Sequence, residues 1–327
     1  MVGQPEGYTG HIRDPKVWRH DGQWYMVLAA QDLELQGKVL LLRSEDLTEW
    51  TLLGEIAGSG LGGIARFGYM WECTDLFILE NKEVLITCPQ GVDAEARRYL
   101  NQYQSGYFVG DLDYDTGRYQ HGPFTELDYG HEFYAPQTTQ TEDGRRLLIG
   151  WMGVPDQDEF SQPTIRHGWL HIMTCPRELT LQGELLYQRP ARELQSLRDQ
   201  YQRYTDVANA VPECAVTQAE LVIKTDGVFQ ANFADTLWLH CEDEGVTLLR
   251  KGLLDGADEY RYWPGKVETL QILCDSSSIE IFINDGEGVM SSRYFPAKPA
   301  TVTFSGEAQL EVEHWLLRKA ATGIDDN

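Results

Sequence analysis

The chain is poor in basic residues and has no long apolar run. Its 27 Lys and Arg stand against 51 Asp and Glu, a formal charge of −24. A field of that sign repels phosphodiesters and anionic lipid surfaces, so it argues against nucleic acid and membrane as partners and suits a neutral, hydroxyl-rich ligand. No stretch reaches the roughly eighteen apolar residues of a membrane-spanning helix, and the opening M-V-G-Q-P-E-G-Y has neither the basic nor the apolar part of a leader. The six cysteines (Cys73, Cys88, Cys175, Cys214, Cys241, Cys274) form no C-x-x-C pair and have no histidine at metal-ligand spacing. Neither a zinc site nor a small disulfide scaffold is suggested, no metal or cofactor is implied, and free thiols in a reducing cytoplasm fit best. No glycine-rich phosphate loop is present either.

Aromatic side chains, by contrast, are abundant: nine Trp, sixteen Tyr and eleven Phe. That load fits strand-rich structure, and it also fits sugar binding, where flat rings pack against the faces of pyranoses and furanoses. Strands are indeed what the first 190 residues spell, three times over. R-D-P-K-V-W leads to the turn His20-Asp21-Gly22, E-C-T-D-L-F-I-L to Glu80-Asn81-Lys82, and F-Y-A-P-Q-T-T to Glu142-Asp143-Gly144. Each turn feeds a second apolar run, W-Y-M-V-L-A-A, V-L-I-T-C or L-L-I-G-W-M, as in a hairpin. Further strands are expected over K-V-L-L-L-R-S, L-T-E-W-T-L-L, Q-S-G-Y-F-V-G-D-L-D-Y, G-W-L-H-I-M-T-C and G-E-L-L-Y-Q.

From Asp14 to Glu72 is 58 positions and from Glu72 to Tyr134 is 62. A repeat of that length matches one four-stranded propeller blade with generous loops, is too long for a solenoid, and is not the period of a sandwich. The innermost strands of a propeller line its channel, which would bring Asp14, Glu72 and Tyr134 together. Three blades cannot close a ring, because closed propellers have about 4–8. The expectation is therefore an all-β chain: an incomplete five-bladed β-propeller, about three blades over 1–190, then a β-sandwich. Its missing blades would precede Met1 or come from another chain. A-R-E-L-Q-S-L-R-D-Q-Y, with Leu194 and Leu197 on one side, reads as a helical linker over 191–204. The sandwich is expected over 205–327, where the alternation I-E-I-F-I followed by Asn284-Asp285-Gly286 marks a hairpin.

R-D-P-K-V-W, M-W-E-C, E-F-Y-A-P-Q, I-G-W-M, W-L-H-I-M-T-C-P-R-E-L and I-E-I-F-I-N-D-G-E-G-V-M-S-S-R resemble, in order, the motifs of glycoside hydrolase family 32, the invertases and fructanases. The resemblance covers nearly the whole chain. It implies release of fructose from β-fructofuranosides with retention of configuration, on sucrose or sucrose 6-phosphate. Retention requires one carboxylate as nucleophile and another as acid/base. By resemblance Glu72 is the acid/base, a role that requires a carboxyl still protonated near neutrality. Asp14 is the transition-state stabiliser that holds sugar hydroxyls. Arg13, Cys73, Tyr134, Trp71 and Trp151 are the substrate-binding positions, with Tyr134 tuning Glu72. Duller roles stand beside these: Asp14 could open a turn, Glu72 could be a solvated channel acid, and Trp71 could be core.

The family's nucleophile motif, W-x-N-D-P, is absent from these residues. Asp285 of I-N-D-G superficially resembles it but belongs to the second-domain hairpin, so it is set aside. Two smaller departures are Thr74, where the family shows proline, and Glu132, where many relatives carry Asp. Losing a covalent nucleophile removes most of the rate, so the chain alone should be inactive or very weak. The alternatives are half of an enzyme completed by another chain, or a sugar-binding, self-associating pseudoenzyme. Unpaired blade edges would favour a homo-oligomer or a complementing chain. Lys16, Arg66, Arg97, Arg98 and Arg166 are basic residues of propeller loops, expected to be solvated rather than to hold phosphate.

Overall fold

The structure is a computed structural model that describes residues 3–296 and 299–320. Three sheets follow one another along the first part of the chain. The first is a meander of β1 (Tyr8–His20), β2 (Gln23–Asp32), β3 (Gly37–Ser44) and β4 (Thr51–Gly58). The second runs β5 (Met70–Leu79), β6 (Lys82–Gln90), β7 (Gly106–Asp113) and β8 (Arg118–His121), with the short β9 (Thr125–Glu126) beside β7. The third contains β10 (Tyr134–Gln140), β11 (Arg146–Met152), the two-residue β12 (Ile172–Met173), β13 (Arg177–Gln182) and β14 (Leu185–Pro190). Its order is β10-β11-β13-β14, with β12 beside β11. These are three blades of a β-propeller.

The expected hairpins form where the turn chemistry placed them. Asp21 and Gly22, and likewise Glu80 and Asn81, have positive φ at both central positions, the twist that a two-residue hairpin needs. The continuous apolar runs are explained by two-sided burial. Along β2, Tyr25 and Val27 enter a cluster with Trp71, Leu85 and Phe108, while Met26, Leu28 and Ala30 enter another with Leu40 and Leu42. A strand buried on both faces has no polar face to alternate with.

The rest of the chain forms two six-stranded sheets. One contains β15 (Arg198–Val207), the other begins with β16 (Cys214–Ala215). In chain order there follow β17 (Ala219–Thr225), β18 (Phe229–Phe233), β19 (Leu237–Glu242), β20 (Gly245–Lys251), β21 (Asp258–Pro264), β22 (Thr269–Asp275), β23 (Ser278–Ile283), β24 (Gly288–Arg293), β25 (Thr301–Gly306) and β26 (Gln309–Leu317). The sheets run β15-β26-β17-β22-β23-β24 and β16-β25-β18-β19-β20-β21. Their inner faces, among them Ile223, Phe229, Leu239, Ile272, Ile281 and Val312, form one core, a β-sandwich.

Two sequence expectations are corrected. The helical linker reduces to a 3₁₀ turn at Arg192–Leu197, after which β15 begins, pairing with β26 from Arg198↔Leu317 to Val207↔Gln309. Pairing with a waiting sheet edge outweighs the weak helical spacing of two leucines. In the third blade, G-W-L-H-I-M-T-C supplies only β12, and the long strand is β13, in the C-P-R-E-L that follows. Before β12 stand short 3₁₀ turns at Glu159–Ser161 and Pro163–His167, the second ending at left-handed Gly168.

The chain divides into two compact units that interleave along the sequence. The first takes the described residues of Met1–Asp128, Phe133–Gln157 and Thr180–Leu186, the second those of Tyr129–Glu132, Asp158–Leu179 and Tyr187–Asn327. Among the described residues no helix is long and apolar enough to cross a membrane.

Candidate active site

The first strand of every blade has the same irregularity. Register shifts fall between Arg13 and Lys16, between Glu72 and Asp75, and between Tyr134 and Gln137. At the second position of each bulge stands a left-handed residue that is not glycine: Asp14 at φ 60°, Cys73 at 55° and Ala135 at 49°. Such conformations cost about 1–3 kcal/mol each and persist only where the surroundings over-determine them. The tetrads R-D-P-K, E-C-T-D and Y-A-P-Q are therefore equivalent. This corrects the repeat phase: the partner of Glu72 and Tyr134 in the first blade is Arg13, 59 positions before Glu72, and Asp14 is the bulge residue beside it. Counting from conspicuous acids had aligned the blades one residue out of step.

The first positions of the tetrads meet on Glu72. Its Oε1 accepts from Arg13 Nε at 2.7 Å, and its Oε2 accepts from the Tyr134 hydroxyl at 2.7 Å and from Gln90 Nε2 at 3.0 Å. With 15% of its side chain exposed, Glu72 is held yet reachable. Asp14 joins the group through the backbone: Oδ2 accepts from Cys73 N at 2.8 Å, and its carbonyl accepts from the Thr74 hydroxyl at 3.1 Å. Lys16 and Asp75, the last positions of the first two tetrads, and Thr138, just after the third, form a second rung. Lys16 Nζ donates to Asp75 Oδ2 at 3.0 Å and to the Thr138 carbonyl at 2.7 Å, and Asp75 Oδ2 also accepts from Thr138 N and Oγ1. Asp75 is fully buried, so this rung ties the three first strands together from inside.

Electrostatics keep the Tyr134 hydroxyl and the Cys73 thiol neutral. Burial, followed by the neighbouring Cys88 and Glu72, pushes the Tyr134 hydroxyl far above its ordinary range, so it remains a protonated donor. A hydrogen bond to Cys88, followed by burial, pushes the Cys73 thiol up in the same way.

Of the positions marked in the sequence, Arg13, Asp14, Glu72 and Tyr134 come together. Cys73 does so with its backbone, while its thiol turns to Cys88. Trp71 is corrected: it is fully buried, donates Nε1–H to the Phe67 carbonyl and stacks on Phe108 with ring centres 5.5 Å apart, so no face is open to a sugar. Its fit is close enough that a Cβ on Gly37 would stand 2.4 Å from its ring. Trp151 is half-buried beside Tyr134, with ring centres 6.4 Å apart.

Lys16 is not solvated, as expected of it, but committed to Asp75. Glu132 serves the second unit, accepting from Arg293 N and pairing with Arg250. Asp285 lies in the hairpin turn and pairs with Arg189.

Sequence reasoning missed Gln90 and gave Asp75 no role. The signal for Asp75 was its place in the tetrad, four letters that recur with the repeat. Gln90 closes the strand that pairs with β5, opposite Met70, and only the pairing register reveals it. Among the described residues no cluster of His, Cys, Asp and Glu is arranged to hold a metal ion.

The model of the glycosyl hydrolases family 32 N-terminal domain matches residues 1–190, and that of the family 32 C terminal matches 215–315. A sucrose-6-phosphate hydrolase of Klebsiella pneumoniae is 52% identical over 314 residues, covering 96% of this chain and 67% of that protein. One of Bacillus subtilis is 46% identical, over 96% and 68%. Among solved structures, a sucrose-6-phosphate hydrolase from Lactobacillus gasseri superposes with a TM-score of 0.86 at 28% identity, covering 97% of this chain and 68% of that one.

Proposed function

The chain belongs to glycosyl hydrolase family 32, and on that premise we propose that it forms the fructosyl-binding and proton-donating part of a retaining β-fructofuranosidase. Its substrate class is sucrose or sucrose 6-phosphate, and fructose is the product it holds. One observation carries the reading: Glu72 is gripped by Arg13 and Tyr134, each from a different blade, at the equivalent step of the same bulge.

In this reading Glu72 passes a proton to the glycosidic oxygen as the bond breaks and later takes one from water. The neutral Tyr134 hydroxyl holds its Oε2 in place. Asp14, fixed by Cys73 N, presents its remaining acceptor capacity to sugar hydroxyls, and Arg13 orients both the glutamate and the fructosyl ring. Trp151 offers an aromatic face at the rim. In this reading the three blades carry the chemistry. Six free thiols support a reducing, cytoplasmic setting.

These 327 residues contain no W-x-N-D-P, so the covalent step needs a nucleophile from elsewhere. Three blades leave sheet edges that invite a complementing segment or a second copy. The test is twofold. The chain alone should bind fructose calorimetrically and leave sucrose intact; mixed with a propeller segment bearing W-x-N-D-P, it should hydrolyse sucrose, and Glu72→Gln should abolish that turnover. Hydrolysis by the chain alone at ordinary rates, lost in Glu72→Gln, would overturn the claim of a missing nucleophile. Absence of both fructose binding and complementation would overturn the fructosidase reading itself.

A further inference from the structure

We propose that Gln90 is a positioning residue for Glu72, anchoring its Oε2 so that Oε1 is the oxygen that carries the transferable proton. The role of Glu72 as acid rests on the reading above, but the anchoring is a property of the hydrogen bonds alone.

A carboxylate oxygen has about two lone-pair directions. At Oε2 both are taken, by the Tyr134 hydroxyl and by Gln90 Nε2. Among the described residues only Arg13 Nε bonds Oε1, leaving one direction open. A proton arriving at Oε2 would face two donors, whereas at Oε1 it meets one and keeps a free approach. Without Gln90, Oε2 would keep only the neutral Tyr134 hydroxyl against the charged Arg13 donor at Oε1, and the preference would turn toward protonation at Oε2.

The backbone around Gln90 is built to hold it there. Its carbonyl accepts from Tyr69 N at 2.8 Å, and it pairs with Met70 on one side and Tyr103 on the other. Both flanking turns need glycine. A Cβ on Gly68, at φ +79°, would stand 2.5 Å from the Gln90 carbonyl oxygen, and one on Gly91, at φ +76°, would stand 2.3 Å from the Tyr69 ring. The buried Gln31 side chain secures the same turn by donating to the Tyr69 carbonyl at 2.7 Å. P-Q-G is thus a rigid mount, and what it presents is the amide on Glu72.

The experiment is a pH titration of the whole chain, with glutamate carboxyl carbons labelled and Glu72 assigned through Glu72→Gln. In Gln90→Leu a donor to the ionised form is lost, so the midpoint of the Glu72 carbon should lie above the parent's. Gln90→Glu, nearly the same shape, sets a second carboxylate beside it and should move the midpoint further in the same direction. Gln120→Leu, exposed on β8, should leave it unchanged.

A second readout needs no altered side chain at Glu72 or Gln90. In the unsubstituted chain the Gln90 amide protons should shift with the same midpoint as the Glu72 carbon. Amide protons blind to that titration, or folded Leu and Glu variants that titrate like the parent, would overturn the proposal. None of these readouts depends on turnover, so failure of the fructosidase reading leaves the anchoring intact and is told apart from its failure.

Discussion

Glu72 in the first unit and Glu280 in the second are both glutamates on strands, both paired with an arginine, and both bonded to further donors. Glu72 accepts from Arg13, Tyr134 and Gln90, and the Arg13 side chain remains 34% exposed. Glu280 accepts from Arg177 Nε and Nη2 and from Cys175 N, and Arg177 is fully sealed. Arg177 also donates to Gln188 and Ser291, so its fork is occupied on all sides. The contrast separates two uses of one ion pair. A sealed pair fixes structure because neither charge can find water; an open pair leaves a carboxylate that solvent can reach.

The sharpest way to break that contrast is to delete the arginine from each pair. Arg177→Met strands a buried carboxylate and should cost about 3–5 kcal/mol in denaturant unfolding, with much of the loss recovered when Glu280 is also made apolar. Arg13→Met removes a pair whose arginine is 34% exposed, so screening reduces its contribution to about 1 kcal/mol or less. Equal losses for the two variants would mean that the site pair is structural too.

The same contrast explains what could be read in the sequence. The blades were legible because each hairpin carries its own punctuation, apolar run, turn, apolar run, and because the tetrads recur. Glu72, Tyr134, Arg13 and Asp14 stood out by chemistry and repeat position. Their relative phase did not, because a bulge inserts one residue without changing the letters around it, and the conspicuous acid in R-D-P falls on the inserted one. Trp71 was ambiguous for the same reason that aromatics are anywhere: area fits a core as well as a sugar. Gln90 and the Arg177 network were out of reach, since both depend on which strands lie side by side. The alternation I-E-I-F-I marks a hairpin, but the face opposite the core is sealed as well. Glu280 is 6% exposed, sealed by the arginine of a distant segment.

Protons sharpen the comparison next. His131 in the second unit is fully buried, and burial, then the positive charges of Arg250 and Arg261, hold its imidazole well below the ordinary histidine range. In the folded chain it stays neutral, whereas the unfolded chain protonates it below about pH 6.5. The stability tied to this neutrality is therefore present above that pH and falls as the solution is acidified, by up to about 1.4 kcal/mol per pH unit until the folded group itself titrates. Urea midpoints of the parent chain should drop between about pH 7 and pH 5.5, and His131→Gln should lose this part of the drop. A variant whose acid slope equals the parent's would show that the imidazole is not kept neutral by the fold.

The mildest test concerns the acid that most resembles the missing nucleophile. Asp285 caps the hairpin between β23 and β24 with φ 59°, its side chain 71% exposed, and Arg189 bonds both of its oxygens, at 2.7 and 2.6 Å. The bidentate geometry and the lowered carboxyl pKa that the arginine causes would, in a sealed setting, mark an interaction worth several kcal/mol. Here water competes for both partners, and the turn is held independently: a Cβ on Gly286 would meet the Gln188 carbonyl at 2.0 Å, so the glycine fixes its path. Asp285→Asn keeps the left-handed preference of the turn and should change stability by no more than about 0.5 kcal/mol. It should also leave fructose binding unchanged. A large loss would place Asp285 with Glu280 among the structural carboxylates, while a loss confined to sugar binding would return it to the list of site residues from which its position in the hairpin removed it.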